Sequence, residues 1–222
     1  MKVDTELKKD RDLYHRDERV DGVVNLLLQD KTNTCSEVIS LVNSSYTCNE
    51  FYEKIGKIFQ FLSDDENAVV EFCKYYPHLE NIYKDINKCS NLRGALLERY
   101  VYKILKEKYE NYSILHISCY VIIKTIETWK SDKSVDVLYY SEDKHEGETF
   151  ECKVNPFGIE REHIENLKEI YINSDHEIKP RIACFTSREA IELEIKDKKI
   201  LPGVVELVGF KDLKMCTPRY KN

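Results

Sequence analysis

Apolar positions recur at helical spacing through the first third of the chain. Val38, Leu41 and Val42 form one stripe; Phe51, Ile55, Ile58, Phe59 and Leu62 form a second; Val69, Val70 and Cys73 form a third. Side chains three and four apart share a helix face, so each stripe predicts an amphipathic helix. Each follows a Ser or Thr with Glu three residues on: Thr34 with Glu37, Thr47 with Glu50, Ser63 with Glu66. These are capping boxes, in which the hydroxyl accepts from a first-turn N–H and the Glu reaches back. Tyr46 and Phe51 flank the second box at staple spacing. Pro77 predicts the end of the third helix, because it lacks an N–H and crowds the preceding turn. An earlier helix is predicted over 12–29, around VVNLLL. Residues 1–90 therefore read as a helical region without internal repeats.

The pattern changes after Asn91. LRGALLERYVYKILKEKY predicts a helix to about residue 109. ILHISCYVIIKTIETW, rich in β-branched and aromatic residues, predicts one long strand or two short ones. SVDVLYY and TFECKV flank the polar turn SEDKHEGE and predict a hairpin. A helix over IEREHIENLKEIYIN, a buried strand at PRIACFTS, a short helix capped by Ser187 and a last short strand within LPGVVELVGFKDL complete the series. Helix, three strands, helix, strand predicts an α/β domain over 91–222, with helices covering a mixed sheet.

Three acidic positions stand out on this frame. Glu98 falls on the stripe of Gly94, Val101, Tyr102 and Leu105, where a carboxylate facing a sheet must be paired, protonated or cation-bound. Asp136 points opposite to Val135 and Val137. Pairing in the hairpin puts it on the face that carries Glu151 and Lys153, while Phe150, Cys152 and Val154 face the other way. Three carboxylates and one lysine then meet. Close carboxylates repel unless a cation neutralises them. Oxygen ligands without His or Cys suit Mg²⁺ or Mn²⁺. A metal held by Asp136 and Glu151, with the main-chain carbonyl of Cys152 as a further ligand, polarises a phosphate oxygen and acidifies a bound water. Lys153 orients or deprotonates that water, or stabilises charge on the phosphorane; Glu98 holds a water or a second ion. This is phosphodiester hydrolysis. The plainer reading makes Glu151–Lys153 a surface ion pair, Asp136 an edge-strand charge, and Glu98 a partner of Arg93 or Lys153.

Glu98, Asp136 and Glu151-Cys152-Lys153, on helix, strand and strand, resemble the PD-(D/E)xK, or restriction-endonuclease-like, nuclease superfamily. RGALLER, VDV and FECK most resemble archaeal Holliday-junction resolvases and some restriction endonucleases within it. The resemblance covers roughly half the chain and leaves out residues 1–90. It implies an αβββαβ core and Mg²⁺-dependent endonuclease cleavage of DNA. It also implies Glu98, Asp136 and Glu151 as metal ligands and Lys153 as the catalytic lysine. Val135 stands where the family often has Pro. The helix after the ExK strand often carries Gln or Lys; here it offers His163, Asn166 and Lys168, and the sequence does not choose among them.

Charge and cysteines adjust this picture. Residues 1–90 hold 12 Lys and Arg against 17 Asp and Glu, most of the overall −6. That surface is poorly suited to phosphates, so the helical region is expected to bind a protein partner or a second copy. Lys124, Lys130, Lys133, Arg161, Lys168, Arg181 and Arg188 are either phosphate contacts or a solvated face. Eight cysteines without a CxxC imply reduced thiols and a cytoplasmic protein. No apolar run approaches the ~20 residues of a membrane helix. Two rival functions remain: a nuclease-fold module that binds DNA or protein without cutting, and a helical interaction protein whose sheet is a scaffold.

Overall fold

A computed structural model describes residues 1–8, 14–30, 34–109 and 111–215. The chain forms two compact units, Leu13–Tyr100 and Met1–Asp12 with Val101–Asn222. The expected boundary lay at residues 90 and 91. The units instead divide within one continuous helix, and the first residues go with the sheet.

The Leu13–Tyr100 unit holds α1 (Glu18–Gln29), α2 (Thr34–Ser44), α3 (Cys48–Leu62), α4 (Glu66–Lys84) and the first part of α5 (Cys89–Lys108). The Thr47 box forms as expected: Glu50 N–H donates to the Thr47 hydroxyl and Thr47 N–H to the Glu50 carboxylate. The Ser63 box does not. Asp65 caps α4 by accepting from Ala68 N–H at 3.0 Å, while the Ser63 hydroxyl turns back to Gln60 O at the end of α3. A carboxylate one residue from the helix start wins over a hydroxyl three residues from it. Pro77 does not end its helix. Tyr75, Leu79, Ile82 and Tyr83 around it are buried, and that packing holds α4 together past a missing hydrogen bond.

The other unit is built on a mixed seven-stranded sheet: β1 (Lys2–Leu7), β2 (Ile114–Lys124), β3 (Thr128–Lys130), β4 (Val135–Ser141), β5 (Glu146–Lys153), β6 (Ile178–Cys184) and β7 (Glu206–Val208). The order is β1-β2-β4-β5-β6-β7, with β3 on β2. β4 and β5 form the expected hairpin; β5, β6 and β7 run parallel. The stretch left open as one strand or two is two, β2 and β3. β1 departs from the expected all-helical start. It pairs antiparallel with β2; an Asp4–Lys124 ion pair at 2.9 Å joins the two strands, and Glu6 reaches Lys130 of β3 at 2.8 Å. Between β5 and β6 runs α6 (Arg161–Asn173), followed after β6 by α7 (Arg188–Asp197) and after β7 by α8 (Phe210–Met215), a helix without a counterpart among the expected elements. Leu138 and Tyr140 of β4 pack with Ile164, Leu167 and Ile170 of α6 in the core. That places α6 over the sheet face that carries Asp136.

Candidate active site

The β4–β5 register sets Val137 opposite Phe150 and Leu138 opposite Thr149. Continued by one residue, it brings Asp136 level with Glu151, and directly opposed residues share a face. The two carboxylates are 6% and 7% exposed. Asp136 Oδ2 accepts a hydrogen bond from Cys152 N–H at 2.8 Å. Lys153 Nζ lies 2.6 Å from Glu151 Oε1. Asp136, Glu151 and Lys153 line one polar cavity of about 280 Å³. Glu98 is buried on α5, in the Leu13–Tyr100 unit. Arg93, its suggested partner, donates to Val42 O at 2.7 and 3.2 Å.

The charges at the cavity are coupled. Burial pulls the Lys153 pKa down, but the Glu151 and Asp136 carboxylates outweigh it and hold the ammonium above its usual range. Lys153 is therefore protonated at neutral pH. Gly158 lies on its stem, where a Cβ would come 3.4 Å from Lys153 Cδ, and Lys198 Nζ pins the turn through Phe157 O and Ile159 O.

Two further side chains reach the cavity from α6, His163 and Asn166. A parallel β5–α6–β6 crossover returns the helix start toward the end of β5, so the first turns of α6 stand near Lys153. Residues three apart share a helix face, which aims both at the site. His163 Nε2 lies 3.5 Å from Glu151 Oε1. Burial, then the Lys153 charge, lower its pKa to about 4, so the ring is neutral at pH 7. Asn166 Oδ1 accepts from Lys133 N–H at 3.4 Å. The third candidate on this helix, Lys168, turns away and donates to Leu201 O at 2.8 Å. The βαβ order was readable in the sequence, and it was the signal that could have selected His163 and Asn166.

Backbone strain accompanies the site. β2 sets Ile117 opposite Val137 and Cys119 opposite Val135, so Ser118 is level with Asp136. Ser118 adopts φ 54°, a left-handed conformation that costs a serine roughly 1–2 kcal/mol.

The expected phosphate contacts are largely engaged with acids. Lys124 pairs with Asp4, Lys130 with Glu6, Lys133 with Glu162, Arg188 with Glu192, and Arg181 with Glu148 and Glu206. Seven cysteines are free among the described residues, and Cys216 lies outside them. Burial and the Asp136 charge push the Cys119 thiol up to about 12, and burial does the same to Cys184, so neither is a ready nucleophile. Among the described residues no helix is long and apolar enough to cross a membrane. No protein-family model matches the chain, and it matches no curated protein.

Proposed function

We propose that the chain is a metal-dependent endonuclease that hydrolyses DNA phosphodiester bonds, on a restriction-endonuclease-like core running from α5 to β6. One observation carries this reading: two buried carboxylates and an ammonium from adjacent strands converge on one polar cavity. The donor set suits Mg²⁺ or Mn²⁺. Asp136, Glu151 and the Cys152 carbonyl are all oxygen donors. Among the described residues no three His, Cys, Asp or Glu side chains gather as a metal site. Mg²⁺ needs only one or two carboxylates, taking water and substrate phosphate for the rest. When bound, such an ion polarises the phosphate and stabilises charge developing on it.

The chain's own residues supply the remainder. Cys152 N–H fixes the Asp136 carboxylate, so little reorganisation is needed on binding. Lys153 is charged, which makes it a stabiliser of negative charge at the phosphorus rather than the base that takes the proton from water. A cavity of this volume has room for a phosphodiester group. The free thiols among the described residues suit a reducing compartment such as the cytoplasm.

A non-catalytic, nuclease-fold binding module is the second reading. The ion pairs that occupy Lys124, Lys130, Lys133 and Arg181 favour it, because they leave fewer cations for a DNA backbone. One assay separates the two: purified protein on plasmid and branched DNA with Mg²⁺ or Mn²⁺. Nicking or linearisation that disappears in Lys153→Ala and Asp136→Ala supports catalysis. Cutting that survives both substitutions refutes this site. Tight binding without cutting supports the module.

A further inference from the structure

The start of α6 does more than begin a helix. Glu160 N–H donates to His163 Nδ1 at 3.0 Å. A ring nitrogen that accepts a hydrogen bond carries no proton of its own, so the neutral imidazole holds its hydrogen on Nε2. Nε2 faces Glu151 Oε1 at 3.5 Å, and Lys153 Nζ faces the same oxygen at 2.6 Å. Two donors thus converge on one carboxylate oxygen. The 3.5 Å separation is at the long limit for a hydrogen bond. The His163 side chain is 17% exposed, which limits competition from bulk water. With its proton on Nε2 and its lone pair on Nδ1 engaged, His163 has nothing to offer a cation directly.

We propose that His163 is a positioning residue for Glu151: its Nε2–H, together with Lys153, holds Oε1 so that Glu151 turns its other oxygen toward a divalent cation. The proposal takes its cation from the phosphodiesterase reading, but the contact itself rests on geometry alone. A histidine that merely capped α6 would set the helix start and leave Glu151 indifferent to its loss.

Nitrogen-15 NMR of the full chain at pH 7 reads the tautomer directly. The expected result is an Nε2–H His163 whose Nε2 resonance moves in Glu151→Gln. Manganese binding, followed by electron paramagnetic resonance without DNA, reads the consequence. His163→Ala is expected to weaken Mn²⁺ about tenfold, the usual scale for a residue that orients a metal ligand. His163→Gln should remain within about twofold of the parent: as in a capping box, its amide oxygen can accept from Glu160 N–H while its NH₂ donates to Glu151. His163→Glu keeps the cap without a donor and should behave like His163→Ala.

An Nδ1–H tautomer, unchanged Mn²⁺ affinity in His163→Ala, or no Mn²⁺ binding by the parent would each overturn the proposal. So would loss of the Nε2–H signal on adding diamagnetic Mg²⁺, which would mean direct ligation. If the tautomer and affinities are as expected but neither Mg²⁺ nor Mn²⁺ supports cutting of any DNA, the phosphodiesterase reading falls and the positioning role stands.

Discussion

Asp136 holds the main-chain N–H of Cys152 at 2.8 Å, tying β4 to β5 at the residue between Glu151 and Lys153. The same carboxylate thus closes the hairpin's end and faces the cavity. On the proposed function, this atom links activity to stability, and substitutions can pull the two apart.

Asp136→Asn keeps an oxygen to accept from Cys152 N–H but removes the charge. It should unfold in urea within about 1 kcal/mol of the parent, while DNA cleavage falls by about 10²–10³-fold. Asp136→Ala leaves the buried N–H without its acceptor and should cost about 1–3 kcal/mol in addition to the activity. Equal destabilisation by both variants would show that the hydrogen bond contributes nothing.

His163 makes stability pH-dependent. Its folded pKa, about 4, lies below the ordinary 6.5 because the ring is buried and stands near Lys153. Between those values the unfolded chain binds a proton that the folded chain does not. The contribution is therefore complete above about pH 6.5, declines as pH falls toward 4, and changes no further below that. Urea titrations from pH 4 to 7.5 should show His163→Gln losing less stability than the parent across this window. The difference should be on the order of 2 kcal/mol after screening. Parallel curves would mean that the ring protonates freely in the fold.

Glu148 is a control on the opposite face of β5. Its Oε1 takes Lys108 Nζ at 3.0 Å and the Tyr109 hydroxyl at 2.5 Å, and Arg181 lies 3.2 Å from Oε2. Burial raises its pKa, but Arg181, Tyr109 and Lys108 together bring it below the usual carboxylate value. Glu148→Ala takes a buried carboxylate away from the half-buried Lys108 and Arg181, while Arg181 keeps Glu206, and should cost about 1–3 kcal/mol in chemical unfolding. Cleavage per folded molecule should stay within about twofold, since no part of this cluster lines the cavity. A large loss of specific activity would mean that the two sheet faces communicate.

The cap of α4 is testable by two neighbouring substitutions. Asp65→Ala should lower stability by about 1 kcal/mol, whereas Ser63→Ala should be close to neutral at the α4 start. The reverse order in thermal or urea unfolding would restore the capping box read from the sequence.

Much of the fold was legible because local patterns had one reading. Alternation in SVDVLYY and TFECKV, with the polar turn between them, specified a hairpin and put Asp136, Glu151 and Lys153 on one face. Helical stripes located α2, α3 and α5 to within a few residues and the start of α4, which runs on past Pro77 to Lys84. These signals depend only on neighbours in the chain, and periodicity reports them directly. The strand KVDTEL carries only a weak form of this signal, Val3, Thr5 and Leu7 alternating with Lys2, Asp4 and Glu6. It is short and charged, and pairing with β2, with ion pairs from Asp4 to Lys124 and from Glu6 to Lys130 of β3, makes it a strand.

The sequence by itself determined the type and order of most elements and the shared face of the ExK strand and its hairpin partner. Only the tertiary structure decided that α4 continues through Pro77, that Glu98 belongs to the helical unit, and that His163 and Asn166, rather than Lys168, reach the cavity. The physical reason is range. Periodicity records which side of an element is buried, but what covers that side is chosen by contacts between residues far apart in the chain.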